Sequence, residues 1–445
     1  MTPVSNQSLG YTYFGFGLGA IQTGLFLYEA MASNAFNRLV VAEVIPEIVS
    51  QVRENQGFVN LNIAHITGIE KTRLGPLELY DPADAADRQS IVAALAEAHE
   101  IGTAVPGVRF YASPGAESLA RILAQGLLAK VGDNGPRAVI YTAENHNRAA
   151  EILEEQVLGH LDHSIHATVA HKVCFLNTVI GKMSGVITAK GEIDSLGLAP
   201  MYPGSQRAFL VEEFNRILVS QVTFPDDNRE PPFQRGITSF IEKDNLLPFE
   251  EAKLYGHNAT HAAGAYLGAL LGLQRFAEIA SLPGLMEFLR KAFIEESGAA
   301  LIHRYAGLDA LFTPQGYAIY AADLLRRMTN PWLSDTLERV GRDVERKLAW
   351  DDRLVGTMRL CLAEGIIPRR YALGTAAALV FLYPGLLDVT EGAEPSLKLL
   401  WGSTHRHPTE ESQVLALIDA GLTRLRRWHA SGWGDLPAFL DDLSK

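Results

Sequence analysis

The chain has 445 residues, 47% hydrophobic and 20% charged, the composition of a folded globular protein rather than a disordered or membrane-embedded one. A formal charge of −12 argues against nucleic acid as a partner and obliges any anionic substrate to find a local basic pocket. Two cysteines, Cys174 and Cys361, make neither a disulfide framework nor a metal set; with no apolar stretch of spanning length and no basic leader, cytoplasmic residence is expected.

Taken in chain order, the first element is a short strand, 11–16, followed at once by the glycine-rich turn Gly17-Leu18-Gly19-Ala20-Ile21-Gln22. Such a turn between a strand and a helix lets the backbone approach a pyrophosphate, whose charge the helix N-terminus stabilises. An apolar helical run, 25–31, leads to a second strand, 39–43, ending at Glu43. That carboxylate stands where it would accept hydrogen bonds from an adenosine ribose and repel a 2′-phosphate, so NAD is expected over NADP. Gln22 occupies the place of the usual third glycine. Either helix and strand pack further apart there, or Gln22 points at the phosphates.

Short β-rich runs then alternate with helical ones as far as about residue 240: 58–66, 86–99, 101–105, 117–130, 138–142 and 148–157. Two more strand-like runs, 169–179 and 209–223, extend the sheet. This alternation predicts parallel strands with crossover helices. The polar, proline-rich stretch 224–233 reads as a linker or exposed loop. Beyond residue 246 nearly everything reads as helix, with segments at 247–273, 284–303, 315–327, 333–348, 371–383 and 411–429. The expected architecture is α/β: a Rossmann-like domain with an extended, mostly parallel sheet over 1–240, then a mostly α-helical catalytic domain over 241–445. Lys253 would lie near the seam, as ligand sites often do.

The most informative stretch is Lys253-Leu-Tyr-Gly-His-Asn258-Ala-Thr-His261. As a regular helix it would spread Lys253, Asn258 and His261 over an arc of roughly 140°. A lysine at a dry site can be tuned to take an alcohol proton, and Asn plus His can steady the resulting oxygen. Glu250 and His257 fall inside the same arc, which makes His257 a local rival for the imidazole role. His257 and His261 at i, i+4 also have zinc-site spacing, but Asn258 stands where a metalloprotease carries glutamate, and no metal is expected.

These stretches together resemble the polyol-specific long-chain dehydrogenases, the mannitol dehydrogenase family, and within it the mannitol-1-phosphate 5-dehydrogenase branch. The resemblance runs from residue 12 to about 380 through 16–24, 40–44, Gly102-Thr-Ala-Val105, Thr142-Ala-Glu-Asn145, Asp244-Asn-Leu-Leu-Pro248, 253–262, 338–343 and 346–348. The Lys-x4-Asn-x2-His element is its specific part. It implies Lys253 as general base, Asn145 and Asn258 as the amide pair holding the alkoxide, His261 orienting the substrate hydroxyl, and Glu250 passing the proton to solvent. It implies an NAD site made by Gly17, Gly19, Ala20, Ile21, Gln22, Glu43, Ala104, Val105, Glu144 and Asn145. The partner would be a polyol or its ketose, possibly phosphorylated, with mannitol 1-phosphate and fructose 6-phosphate the leading pair; the chain would act as a monomer or small homo-oligomer.

One departure bears on substrate range. Relatives carry Val-Asp-Arg where this chain has Ile180-Gly181-Lys182, so the acidic contact is absent and the basic one becomes a point charge rather than a fork. Mannitol 2-dehydrogenase-like or fructuronate and tagaturonate reductase-like activities are therefore alternatives, and a non-catalytic NAD sensor is the reading outside catalysis. The basic run Arg339, Arg342, Arg346, Lys347 and Arg353 is a candidate sugar-phosphate belt, although Asp343, Glu345, Asp351 and Asp352 lie among it. His405 and His407 read as a polar surface turn.

Overall fold

In the computed structural model, residues 9–115, 117–225, 233–282 and 284–441 are described. The chain divides into two compact units, 1–247 and 248–445. Most of the expected linker, 226–232, lies outside the described residues.

The first unit is built on an eight-stranded sheet. In chain order its strands are β1 (Tyr11–Phe16), β2 (Phe36–Ala42), β5 (Glu78–Tyr80), β6 (Glu100–Thr103), β7 (Ala138–Thr142), β8 (Val173–Val179), β11 (Leu218–Ser220) and β12 (Ile241–Lys243). They are ordered β12-β11-β8-β7-β6-β1-β2-β5, parallel from β5 through β8, with β11 antiparallel to β8. Strands such as β7 are buried along their whole length, as expected where both faces of a parallel sheet are covered. Alternation sorts the side chains: Tyr13, Val41, Val139 and Tyr141 enter one core, while Phe14, Val40, Ala42 and Ile140 enter the other with the helices Ala85–Glu97 and Leu119–Gly132.

The first of those cores is roofed by a second sheet that the sequence reading assigned to the main one. It contains β3 (Val59–His65), β4 (Gly68–Leu74), β9 (Ser184–Ile187) and β10 (Ala208–Glu212), ordered β4-β3-β10-β9. Leu61, Ile63, Phe209 and Val211 supply its apolar face. The expected strand 169–179 is also shorter at its start, because His166–Lys172 is helical.

The second unit is helical. Its principal helices are a run over 247–270, another over 285–304, Pro314–Met328, Val355–Ala363, Arg369–Leu382, Glu394–Trp401 and Pro408–Ala430. The expected helix over 333–348 is broken: Leu337–Gly341 and Val344–Lys347 are separated by Arg342 in an extended conformation and Asp343 at φ +55°. Among the described residues no helix is long and apolar enough to cross a membrane.

Candidate active site

In the first unit, β2 and β6 leave β1 on opposite sides, which opens a crevice at the carboxyl end of β1. Gly17 closes β1 at φ +82°, a left-handed conformation suited to glycine, and a Cβ there would stand 3.2 Å from the Ala104 carbonyl oxygen. The turn therefore lies against the end of β6, where the Ala104 N–H bonds to the Phe16 carbonyl at 3.1 Å. A Cβ on Gly19 would meet nothing within 4 Å, so the backbone is open where a pyrophosphate would approach. Ala20 and Ile21 begin the helix that follows.

Glu43 is buried beside this turn. One carboxylate oxygen accepts from the Leu18 N–H at 2.6 Å and the other from the Ile45 N–H at 3.0 Å. It braces the glycine loop, and each oxygen keeps a further lone pair. Glu144 is more fully committed: it accepts from the Thr103 hydroxyl at 2.8 Å, the Val105 N–H at 2.9 Å and the Tyr111 hydroxyl. Burial pushes its carboxyl above the ordinary range. Its work here is to hold the 103–105 loop. Asn145 follows β7 and is exposed.

Gln22 takes neither of the two options expected for it, since helix and strand stay closely packed and the side chain points away from the phosphate turn. Its amide turns into the core and donates to the Tyr13 hydroxyl at 2.7 Å. The room comes from the strand, since a Cβ on Gly15 would collide with the Gln22 side chain. The close-packing glycine has moved from helix to strand, and Gln22 does not face the phosphates. Lys182 also corrects an expectation. It is buried, and its ammonium donates to the carbonyls of Glu212 and Phe214 and to the Asn215 side chain, so it ties the chain together rather than facing a substrate.

In the second unit the Lys-x4-Asn-x2-His run is not a regular α-helix. Leu247–Glu251 is α-helical, Ala252–Asn258 is a π-turn, and Ala259–Leu270 is α-helical again. A π-turn has roughly 4.4 residues per turn, so five steps leave Lys253 and Asn258 only about 50° apart, against about 140° in an α-helix. The widened turn narrows the arc inferred from sequence. It is packed from behind, where a Cβ on Gly256 would sit 2.5 Å from the Tyr317 hydroxyl and 2.7 Å from the Phe293 ring.

Lys253, Glu250 and Asn258 are half-buried. Desolvation, assisted by the Arg353 guanidinium and opposed by Glu250, pulls the Lys253 amine down to about 8. His257, the local rival, is buried and kept neutral, chiefly by desolvation and then by neighbouring positive charge. His261 is the more accessible imidazole. Its Nε2 lies 3.1 Å from Oδ2 of Asp335, whose side chain is 3% exposed and whose other oxygen pairs with Arg339.

Sequence reasoning missed Asp335 and the influence of Arg353. Both lie far along the chain, and Asp335 sits in an irregular segment where no local periodicity marks it. The basic belt dissolves into pairs: Arg339 with Asp335, Arg346 with Asp343 and Asp352, and Arg353 with Asp352. Lys347 is buried and donates to the Val340 and Arg342 carbonyls. His405 and His407 are exposed, flanking a turn closed by Arg406 on the carbonyls of Trp401, Gly402 and Thr404.

A glycine turn at the switch point of a parallel sheet is the arrangement of a dinucleotide-binding α/β unit, and a helical unit bearing a half-buried lysine follows it. Residues 245–392 match the profile of the Mannitol dehydrogenase C-terminal domain. Over 323 residues the chain is 30% identical to the mannitol-1-phosphate 5-dehydrogenase of Brevibacillus brevis, covering 70% of this chain and 75% of that one. The chain belongs to the mannitol dehydrogenase family and is an oxidoreductase of the polyol dehydrogenase class. Two solved structures share its fold. A substrate-free D-sorbitol dehydrogenase superposes with a TM-score of 0.70 at 14% identity, covering 94% of this chain and 93% of that one. The mannitol 2-dehydrogenase of Pseudomonas fluorescens, solved with NAD and D-mannitol, gives 0.67 at 16% identity, covering 98% and 96%.

Proposed function

We propose that this chain is a cytoplasmic, NAD-dependent and metal-independent dehydrogenase that interconverts a polyol phosphate and its ketose, with Lys253 as general base. The observation that carries the reading is the half-buried Lys253 amine, held at about 8, with Asn258 brought to its side by the π-turn. An amine so placed is substantially neutral near physiological pH and can take the hydroxyl proton. NAD, when bound, supplies the hydride acceptor. The residues of the first unit fit that group: Gly17 and Gly19 clear the backbone approach, and Glu43 offers lone pairs beside it. Asn258 and Asn145 donate to the oxygen as it gains charge, His261 orients the hydroxyl, and Glu250, close enough to influence the amine electrostatically, leads the proton away.

The pairing of mannitol 1-phosphate with fructose 6-phosphate rests on the likeness to the Brevibacillus brevis enzyme. A second reading, a free polyol or a uronate-derived ketose, is favoured by Lys182, whose inward turn leaves no cation at that position for a phosphate. The test is an absorbance assay of NADH consumption with fructose 6-phosphate, fructose and fructuronate, with and without a chelator. Preference for the phosphate, unaffected by the chelator and lost by about 10³-fold in Lys253→Ala with NADH binding retained, is the expected result. A variant that kept most of its turnover would remove Lys253 from the role of base.

A further inference from the structure

We propose that Asp335 is the positioning residue of His261 and determines which imidazole nitrogen is left to face the substrate; this rests on the role given to His261 above. The two side chains come from segments 74 positions apart in sequence, yet Nε2 of His261 lies 3.1 Å from Oδ2 of Asp335. Both are enclosed. Phe276 stands edge-on to the imidazole with ring centroids 4.4 Å apart, and its backbone N–H donates to the Asp335 carbonyl at 2.8 Å. Arg339 takes the other carboxylate oxygen. Burial alone would raise the Asp335 carboxyl, but His261 and Arg339 outweigh it and hold the group ionised below its ordinary value.

An ionised carboxylate only accepts, so Nε2 must carry the proton, and in the neutral ring Nδ1 becomes the acceptor. Nδ1 of His261 then accepts from a hydroxyl adjacent to the reacting one, which leaves the reacting O–H directed at Lys253 and its lone pairs open to the amide of Asn258. Nε2 and Oδ2 lie 3.1 Å apart without the alignment of a full hydrogen bond. Pairs of this kind commonly tighten only when the site fills. His257 cannot substitute for His261 here: its ring centroid is 6.1 Å from that of His261 and it is buried.

The experiment uses the full-length protein labelled with 15N-histidine, with His261 assigned from the signals lost in His261→Gln. In the unmutated protein His261 should be the Nε2–H tautomer. Asp335→Asn offers an amide N–H beside Nε2, so the ring should shift toward Nδ1–H, with kcat reduced on the order of 10²-fold and KM for NADH little changed. Asp335→Glu, which restores a carboxylate, should recover the Nε2–H form and part of the turnover. An Nδ1–H ring in the unmutated protein overturns the proposal without reliance on any Asp335 variant. So does an unchanged tautomer in Asp335→Asn, whatever its activity. If His261→Gln turned over normally, the role given to His261 would fail instead, while the spectra would still decide whether Asp335 orders the ring.

Discussion

At the scale of single residues, the site is governed by what each charge sees. Lys253 titrates at about 8 because burial and Arg353 outweigh Glu250. With Lys253 as the proposed base, polyol oxidation needs the neutral amine, so its kcat/KM should rise tenfold per pH unit and level off above about 8; ketose reduction needs the ammonium and should be flat below about 8 and fall above it. Arg353→Gln removes a positive charge that favours the neutral form and should move both limbs to higher pH, whereas Glu250→Gln should move them lower. Limbs that shifted the same way in both variants would contradict this account. The residue types of the candidate site could be proposed from sequence because Lys-x4-Asn-x2-His is a local pattern. Gln22 was readable only as a pair of alternatives, and Lys182 was read as a substrate-facing cation that the structure turns inward. Which way a side chain turns depends on Gly15 below one of them and on the Glu212 and Phe214 carbonyls around the other.

At the scale of elements, the π-turn at Ala252–Asn258 is the decisive departure from regularity. Hydrophobic periodicity over seven residues cannot separate a pitch of 3.6 from one near 4.4, so the sequence revealed the helix but not its widened turn. The break at Arg342 and Asp343 was hidden likewise, since neither residue forbids a helix. The π-turn depends on Gly256, whose missing Cβ admits Tyr317 and Phe293. Gly256→Ala should cost about 1–3 kcal/mol through overpacking. For a unit of this size that is a fall in Tm of roughly 2–4 °C per kcal/mol. Adding Tyr317→Phe should return part of the loss, and calorimetry on the single and double variants would show it. Equal Tm values for the single variant and the unmutated protein would mean the turn has room to spare.

At the scale of the whole molecule, the two units carry buried charges of opposite kind, with opposite consequences for stability. In the first, Lys130 donates to the carbonyls of Ala96, Ala98 and Pro136, and desolvation lowers its amine to about 7. Between about 7 and about 10.5 the unfolded chain holds a proton that the folded one lacks, so stability rises with pH there. In the second, Glu296 accepts from the Arg370 and Tyr371 N–H groups at the start of Arg369–Leu382, and burial raises its carboxyl to about 7. Between about 4.3 and about 7 the folded chain holds the extra proton, so stability falls as pH rises. Thermal unfolding should therefore show the unmutated protein gaining on Lys130→Met across the alkaline window and losing ground to Glu296→Gln across the acidic one. Parallel curves would remove both effects. The two-part order of the chain was legible from the change of grammar near residue 240. The second sheet was not, because its strands come from distant stretches that look like any others.

The contact between Gln22 and Tyr13 has an implication for anyone wishing to redesign cofactor preference. Gly15 makes space for the glutamine, Gln22 satisfies the tyrosine hydroxyl, and Gly102 leaves room for that same hydroxyl on the neighbouring strand. The three strand and helix positions are thus interlocked. Transplanting a standard three-glycine fingerprint would strand a phenol in the interior and hollow out the floor beneath the loop, so the glycines must be exchanged as a set or not at all.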